Sequence, residues 1–252
     1  MGIIGKIVGG TLGFALGGPL GAIAGAVFGH AFDQEDPVRS GARAHDGLSG
    51  MEKTQLTFFV STFSMLAKLA VVDGRVRPGA LDTIEAFAER DLGLAPRTKE
   101  IAFNIFHAAL NSPANFEAFA RQFHQHFQHR RELLEMMIDI MVRVGSADGG
   151  CTPAQETLIR TALDLFGMRR ARYEQIRSRY TAAAQPAYQI LGCRREDSDE
   201  RIKSRYRHLV QLYHPDKLAG QGLPEEFIHL ARDKFHEIQA AFEAIKKERG
   251  MR

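Results

Sequence analysis

Cysteine is nearly missing from this chain: Cys151 and Cys193 stand alone, too few and too far apart in sequence for a disulfide framework. They read as incidental thiols rather than a redox pair. An excess of charge is missing as well, since 33 Lys and Arg against 30 Asp and Glu leave a net charge of +3, too little to argue for nucleic-acid binding. No nucleophile motif, phosphate loop or metalloprotease signature occurs, so the chain is read as a non-enzyme with no cofactor. His124, His126 and His129 do not share one helical face, and a solvated surface accounts for them better than a metal site.

The amino-terminal segment lacks charge altogether from Ile7 to Phe28, and glycine recurs there at every fourth position: Gly5, Gly9, Gly13, Gly17, Gly21, Gly25 and Gly29. Such a run has the length to cross the hydrocarbon core as a helix, and its glycine strip lets a second helix approach closely in lipid. Glycine is a poor helix former in water, which favours a bilayer or a packed partner over an isolated soluble helix. A membrane anchor over residues 1–32 and a homodimer through the glycine strip are expected. Gly18-Pro19 leaves two geometries open, one kinked span or two short helices forming a hairpin. Asp33 to Gly50 is rich in Gly, Asp, Arg and Ser and carries no apolar period, so residues 33–50 are assigned as a linker.

Residues 51–184 then form a soluble domain whose pattern is helical throughout. Leu56, Phe59, Val60, Phe63, Leu66, Ala67 and Ala70 share one face. Further segments follow at Ala80 to Asp91, Pro96 to Leu110, Ala114 to Phe127, Glu132 to Val144, Pro153 to Phe166 and Ala171 to Tyr180. An internal echo organises them, with Val72-Asp73-Gly74 before Pro78 matched by Ala147-Asp148-Gly149 before Pro153. In each copy glycine ends a helix, aspartate accepts hydrogen bonds in the turn and proline opens the next helix. A sharper reading brings Asp73, Asp82, Asp148 and Glu156 together as hard oxygen ligands for a divalent cation or as an acidic pocket, although the spacing matches no EF-hand.

Residues 185–252 carry the most informative pattern. Ile202, Tyr206, Leu209, Val210 and Tyr213 lie at helical spacing from Asp199 to Tyr213, with Arg201, Lys203, Arg205 and Arg207 over the remaining surface. Asp199 and Glu200 favour the helix dipole in the first turn, and Pro215 is expected to stop the helix. Phe227, Ile228, Ala231, Phe235, Ile238, Ala241, Phe242 and Ile245 give a second amphipathic helix opening near Pro224. The two helices are expected to pack antiparallel with His214-Pro215-Asp216 exposed in their connection.

This segment resembles the J-domain of the DnaJ (Hsp40) co-chaperones, from Ala187-Tyr188-Gln189-Ile190-Leu191-Gly192 through Lys234 to Phe242. The resemblance implies docking on Hsp70 and stimulation of its ATP hydrolysis through Lys203, Tyr206, Arg207, His214, Pro215, Asp216 and Lys217. Cations there complement an acidic groove, and the aspartate pairs with a partner arginine. The middle region resembles the TerB-like helical domain through its paired Asp-Gly turns and the acidic residue eight or nine positions on. Together the three segments resemble the membrane-anchored co-chaperones of the DjlA type. That resemblance implies an all-α protein of the bacterial inner membrane with a periplasmic amino terminus, a cytosolic body, DnaK as partner and a client not identified by sequence. A cleaved signal peptide, with Lys6 and Ala22-Ile23-Ala24 as its marks, is disfavoured because export would separate the J-domain from cytosolic Hsp70. Two other readings fit the same three segments: a membrane-bound stress or metal sensor using the J-domain as a docking handle, and a glycine-zipper scaffold working without Hsp70.

Overall fold

The computed structural model describes residues 17–29, 49–74, 76, 78–146, 149–180 and 186–251, and among these there is no strand. Its helices are α1 (Gly18–Gly29), α2 (Gly50–Val71), α3 (Pro78–Ala86), α4 (Pro96–Asn111), α5 (Phe116–Phe127), α6 (Arg131–Ser146), α7 (Pro153–Leu165) and α8 (Arg170–Arg177). The carboxy-terminal part adds α9 (Pro186–Leu191), α10 (Asp199–Leu212), α11 (Pro215–Gly220) and α12 (Glu225–Arg249).

The middle bundle is built round α2, which is buried on every side from Leu56 to Ala67 and so serves as a core helix. Its start is set by a capping box in which Ser49 and Glu52 satisfy each other's backbone N–H groups. Helices α4 and α5 cover most of α2. Among the described helices α2 alone is long and apolar enough to cross a membrane, but most of it lies inside the bundle.

The two Asp-Gly turns separate α2 from α3 and α6 from α7, and Gly74 and Gly149 adopt φ of 88° and 93°, a region open to glycine and strained for other residues. Pro153 opens α7, where Thr152 and Gln155 form a second capping box. The turns meet in space, because the Thr152 hydroxyl of the second donates to the Asp73 carboxylate of the first at 3.1 Å.

The glycine ladder is only partly within the described residues; Gly5, Gly9 and Gly13 lie outside them. Gly17 and Gly18 have left-handed φ of 59° and 54°, and α1 starts there, so no helix runs unbroken through Gly17. With 12 residues, α1 is about 18 Å long, against roughly 30 Å of hydrocarbon core. Its Leu20, Ile23, Ala24 and Phe28 are buried against α2, α4 and α5. The Gln122 side chain of α5 fastens its start, accepting from the Leu20 N–H at 2.9 Å and donating to the Gly17 carbonyl at 2.8 Å. Gly21 is buried and Gly25 half-buried in this packing.

Candidate functional site

Helix α10 is capped by Ser198, with Asp199 and Glu200 in its first turn, and lies beside the long α12. Arg249 near the end of α12 locks the subdomain, donating to the Tyr188 hydroxyl at 2.9 Å and the Asp199 carboxylate at 2.8 Å. Sequence periodicity stops the helix at the motif, as the structure does, and leaves the tripeptide exposed in an open connection, where the structure differs. Helix α10 ends at Leu212, and Pro215 is the first residue of the short α11, where a fixed φ and a missing N–H are harmless. His214 is its half-buried N-cap, edge-on to the Phe235 ring at 5.7 Å, and its Nδ1 is buried without a hydrogen-bond partner. Pro215 is half-buried, whereas Asp216 and Lys217 are exposed.

Buried Arg205 marks the inner face of α10. Lys203 and Arg207 are each two positions away, about 200° round the helix, so both belong to the opposite face. Arg207 is exposed, Lys203 half-buried, and Tyr206 stacks on Phe242 with ring centroids 4.0 Å apart. The inner face of α10 and the segment from α11 into α12 are seated on the middle bundle by contacts that the sequence pattern did not disclose.

The deepest of these is a carboxylate holding three donors: Asp139 of α6 accepts from Arg179 at 2.7 Å, from the Tyr180 hydroxyl at 2.8 Å and from the Tyr213 hydroxyl. Burial opposes the charge of Arg179, but Asp139 overrides it and holds the guanidinium firmly protonated. Burial, then the Asp139 charge, pushes the Tyr180 and Tyr213 phenols well above their ordinary range. Next along α6, Glu135 pairs with Arg172 and with His208 of α10, each at 3.0 Å. Arg205 donates to Gln175 at 2.7 Å; burial, then the like charges of Arg172 and Arg179, pushes its pKa down to about 10.

At the mouth of the seat, Glu132 accepts from Lys217 at 2.5 Å and from the Gln221 side chain at 3.0 Å, while Arg130 donates to the Gln221 carbonyl at 2.8 Å. Gly222, with φ of 81°, comes so close to α2 that an added Cβ would meet Thr54 at 2.7 Å. Phe227 then enters an aromatic cluster, its ring 4.9 Å from Phe58 and 6.2 Å from Phe59.

Burial opposes the charge of Glu132, but hydrogen bonds from Lys217, Gln221 and its own backbone N–H hold its pKa below the ordinary 4.5. A carboxylate depressed by folding contributes fully above its ordinary value, and the contribution is lost as pH falls through the lowered one. Hydrogen-exchange protection of the Gln221 to Phe227 amides is therefore expected to hold from neutral pH to the ordinary carboxylate range and to fall below it. Glu132→Gln should flatten that fall; an unchanged pH profile in the variant would place the titration elsewhere.

Of the four acidic residues of the paired turns, the three that are described form no common cluster. Asp73 faces Thr152, Asp82 is exposed, and Glu156 is engaged by Arg160, Arg177 and the Tyr173 hydroxyl. Asp148 lies outside the described residues. No group of three or more metal-ligating side chains occurs among the described residues, the three histidines of α5 and its end included. Burial pushes up the thiols of Cys151 and Cys193, the latter to about 11, so neither is a reactive thiolate at neutral pH.

Comparison with known proteins adds three family matches: the co-chaperone DjlA transmembrane domain over residues 1–51, tellurite resistance protein TerB over 60–178 and the DnaJ domain over 186–250. Co-chaperone protein DjlA of Coxiella burnetii is 31% identical over 217 residues, covering 79% of this chain and 80% of the relative. Its counterpart from Shewanella oneidensis is 29% identical over 225 residues, covering 84% and 86%. The Escherichia coli K12 protein is 26% identical over 247 residues, covering 88% and 89%. No solved structure matches the chain.

Proposed function

Because the chain belongs to the DjlA family of membrane-anchored J-domain co-chaperones, we propose that it docks on the Hsp70 DnaK through Lys203, Tyr206, Arg207, His214, Pro215, Asp216 and Lys217 and speeds ATP hydrolysis there. The observation that carries this reading is the division of α10 into two faces. Arg205 and His208 are spent on the middle bundle, while Lys203 and Arg207 belong to the opposite face of the helix, and Arg207 and Asp216 are exposed. A partner can thus reach the cations and the loop without displacing the seat. Lys217 is the exception, since Hsp70 must compete with Glu132 for it. The chain acts as a regulator rather than as a catalyst, with no cofactor of its own.

The amino-terminal segment anchors it in the bacterial inner membrane, with the amino terminus periplasmic and the body cytosolic beside DnaK. Two copies come together through the glycines ahead of α1, Gly5, Gly9 and Gly13, since Gly21 and Gly25 are taken up in the packing of α1 on the middle bundle. The middle bundle positions the J-domain and receives a client. With Glu156 already committed to two arginines and a tyrosine, a divalent cation is not part of this reading.

Reversing charge on the open face gives the test. In the full chain held in lipid nanodiscs, Lys203→Glu combined with Arg207→Glu is expected to lower the association rate with ATP-bound DnaK by about tenfold or more at low salt, and to flatten its salt dependence. An association rate equal to that of the unmodified chain would remove this face from the docking surface.

A further inference from the structure

A cleft of about 420 Å³ opens where α6, the turn between α7 and α8, and α10 meet, so its walls come from both the middle bundle and the J-domain. Its floor is apolar, made by Leu134, Phe166, Met168 and Leu212. Its two carboxylates are both committed, Glu132 to Lys217 and Glu135 to Arg172 and His208. The rim cations Arg131 and Arg169 are exposed and enter no ion pair among the described residues. Helix α8 starts at this rim, and its N-cap Arg169 supplies no side-chain hydrogen bond to the first turn. The site thus offers uncommitted positive charge round an apolar floor.

We propose that this cleft binds an extended acidic peptide segment, seating one bulky apolar side chain on the Leu134, Phe166, Met168 and Leu212 floor and its flanking carboxylates on Arg131 and Arg169. A free anion would use the rim alone and leave the apolar floor of the cleft unfilled; a basic segment would meet the arginines with like charge. The size suits the assignment, because a volume of about 420 Å³ holds a bulky side chain with its neighbouring backbone. A segment held there touches His208 and Gln211 of α10 as well as the middle bundle, which ties occupancy to the seat next to the docking loop. The proposal deepens the co-chaperone reading by giving the middle bundle a ligand class. Its test contains no Hsp70, so its failure and the failure of that reading are separate results.

The probes are three fluorescein-labelled nonapeptides: polyglutamate with a central leucine, the same peptide with lysine for glutamate, and polyglutamate without leucine. Fluorescence anisotropy with the full chain in nanodiscs is expected to show saturable binding of the first alone, weakening as salt is raised. Arg131→Glu with Arg169→Glu, and separately Met168→Asp, should each weaken that binding by about tenfold or more, with folding verified by circular dichroism. The rim residues are exposed, so the first variant keeps the test open should the second fail to fold. Equal binding of the leucine-free peptide, unchanged affinity in the rim variant, or no saturable binding of the first peptide would each overturn the proposal.

Discussion

Asp139→Ala is expected to destabilise the full chain by about 3–5 kcal/mol, the range for breaking a buried ion pair by removing one partner. The Asp139 and Arg179 side chains are each only 6% exposed. Removing the carboxylate leaves a buried guanidinium uncompensated and strips the Tyr180 and Tyr213 hydroxyls of their acceptor. Because Tyr213 sits at the end of α10 and Asp139 in the middle bundle, the loss is felt at the seat between them. Urea unfolding followed by circular dichroism reads the total, and hydrogen exchange along α10 reads where it falls. Tyr213→Phe removes one donor and leaves the ion pair, so about 1 kcal/mol is expected for it. A loss below about 1 kcal/mol in Asp139→Ala would mean that the ion pair is not holding the seat.

Phe227→Ala should be comparably damaging, at about 3–5 kcal/mol for a large aromatic side chain deleted from a packed core. The Phe227 ring is fully buried, edge-on to Phe58 and near Phe59 and Phe87. It is the aromatic side chain that carries the start of α12 into the middle bundle, just after the close approach of Gly222 to α2. Exchange protection is therefore expected to fall at the start of α2 and across Gln221 to Ile228, while the packing of α9 on the far part of α12 persists. Phe235→Ala, at a half-buried position within the J-domain, should lose less. A global loss with no concentration of exchange at the seat would contradict the placement of Phe227.

How much of this was visible in the sequence depended on how local each interaction is. Apolar periodicity located α2 to α8, α10 and α12 within a few residues, Ala80 to Asp91 taking in α3 and the π-helical turn Phe87–Asp91 that continues it, because each buries one stripe that repeats at helical spacing. Helix α11 was not legible: it has only 6 residues, too few to show a period, and its opening Pro215 reads equally as a stop. The same ambiguity hid the half-buried position of His214. The seat joins residues 74 positions apart at Tyr213 and Asp139 and 85 apart at Lys217 and Glu132, separations no window detects. One local signal did exist, since Glu135 and Asp139 are the lone charges in the otherwise apolar run from Leu133 to Val142. Buried carboxylates in such a stripe imply cations and hydroxyls brought to them from elsewhere in the chain. The acidic residues of the turns misled for a related reason: Glu156 looks available in sequence, and only the fold shows Arg177 and Tyr173 turned onto it.

The central claim is that the seated J-domain presents a working Hsp70 face, and single-turnover ATP hydrolysis by DnaK tests it most directly. The full chain in lipid nanodiscs is added to preformed DnaK–ATP, beside the His214→Gln variant. The account predicts acceleration of about tenfold or more by the unmodified chain and its loss in the variant, with the variant's unfolding curve unchanged. No acceleration by the unmodified chain, or equal acceleration by both, would contradict it.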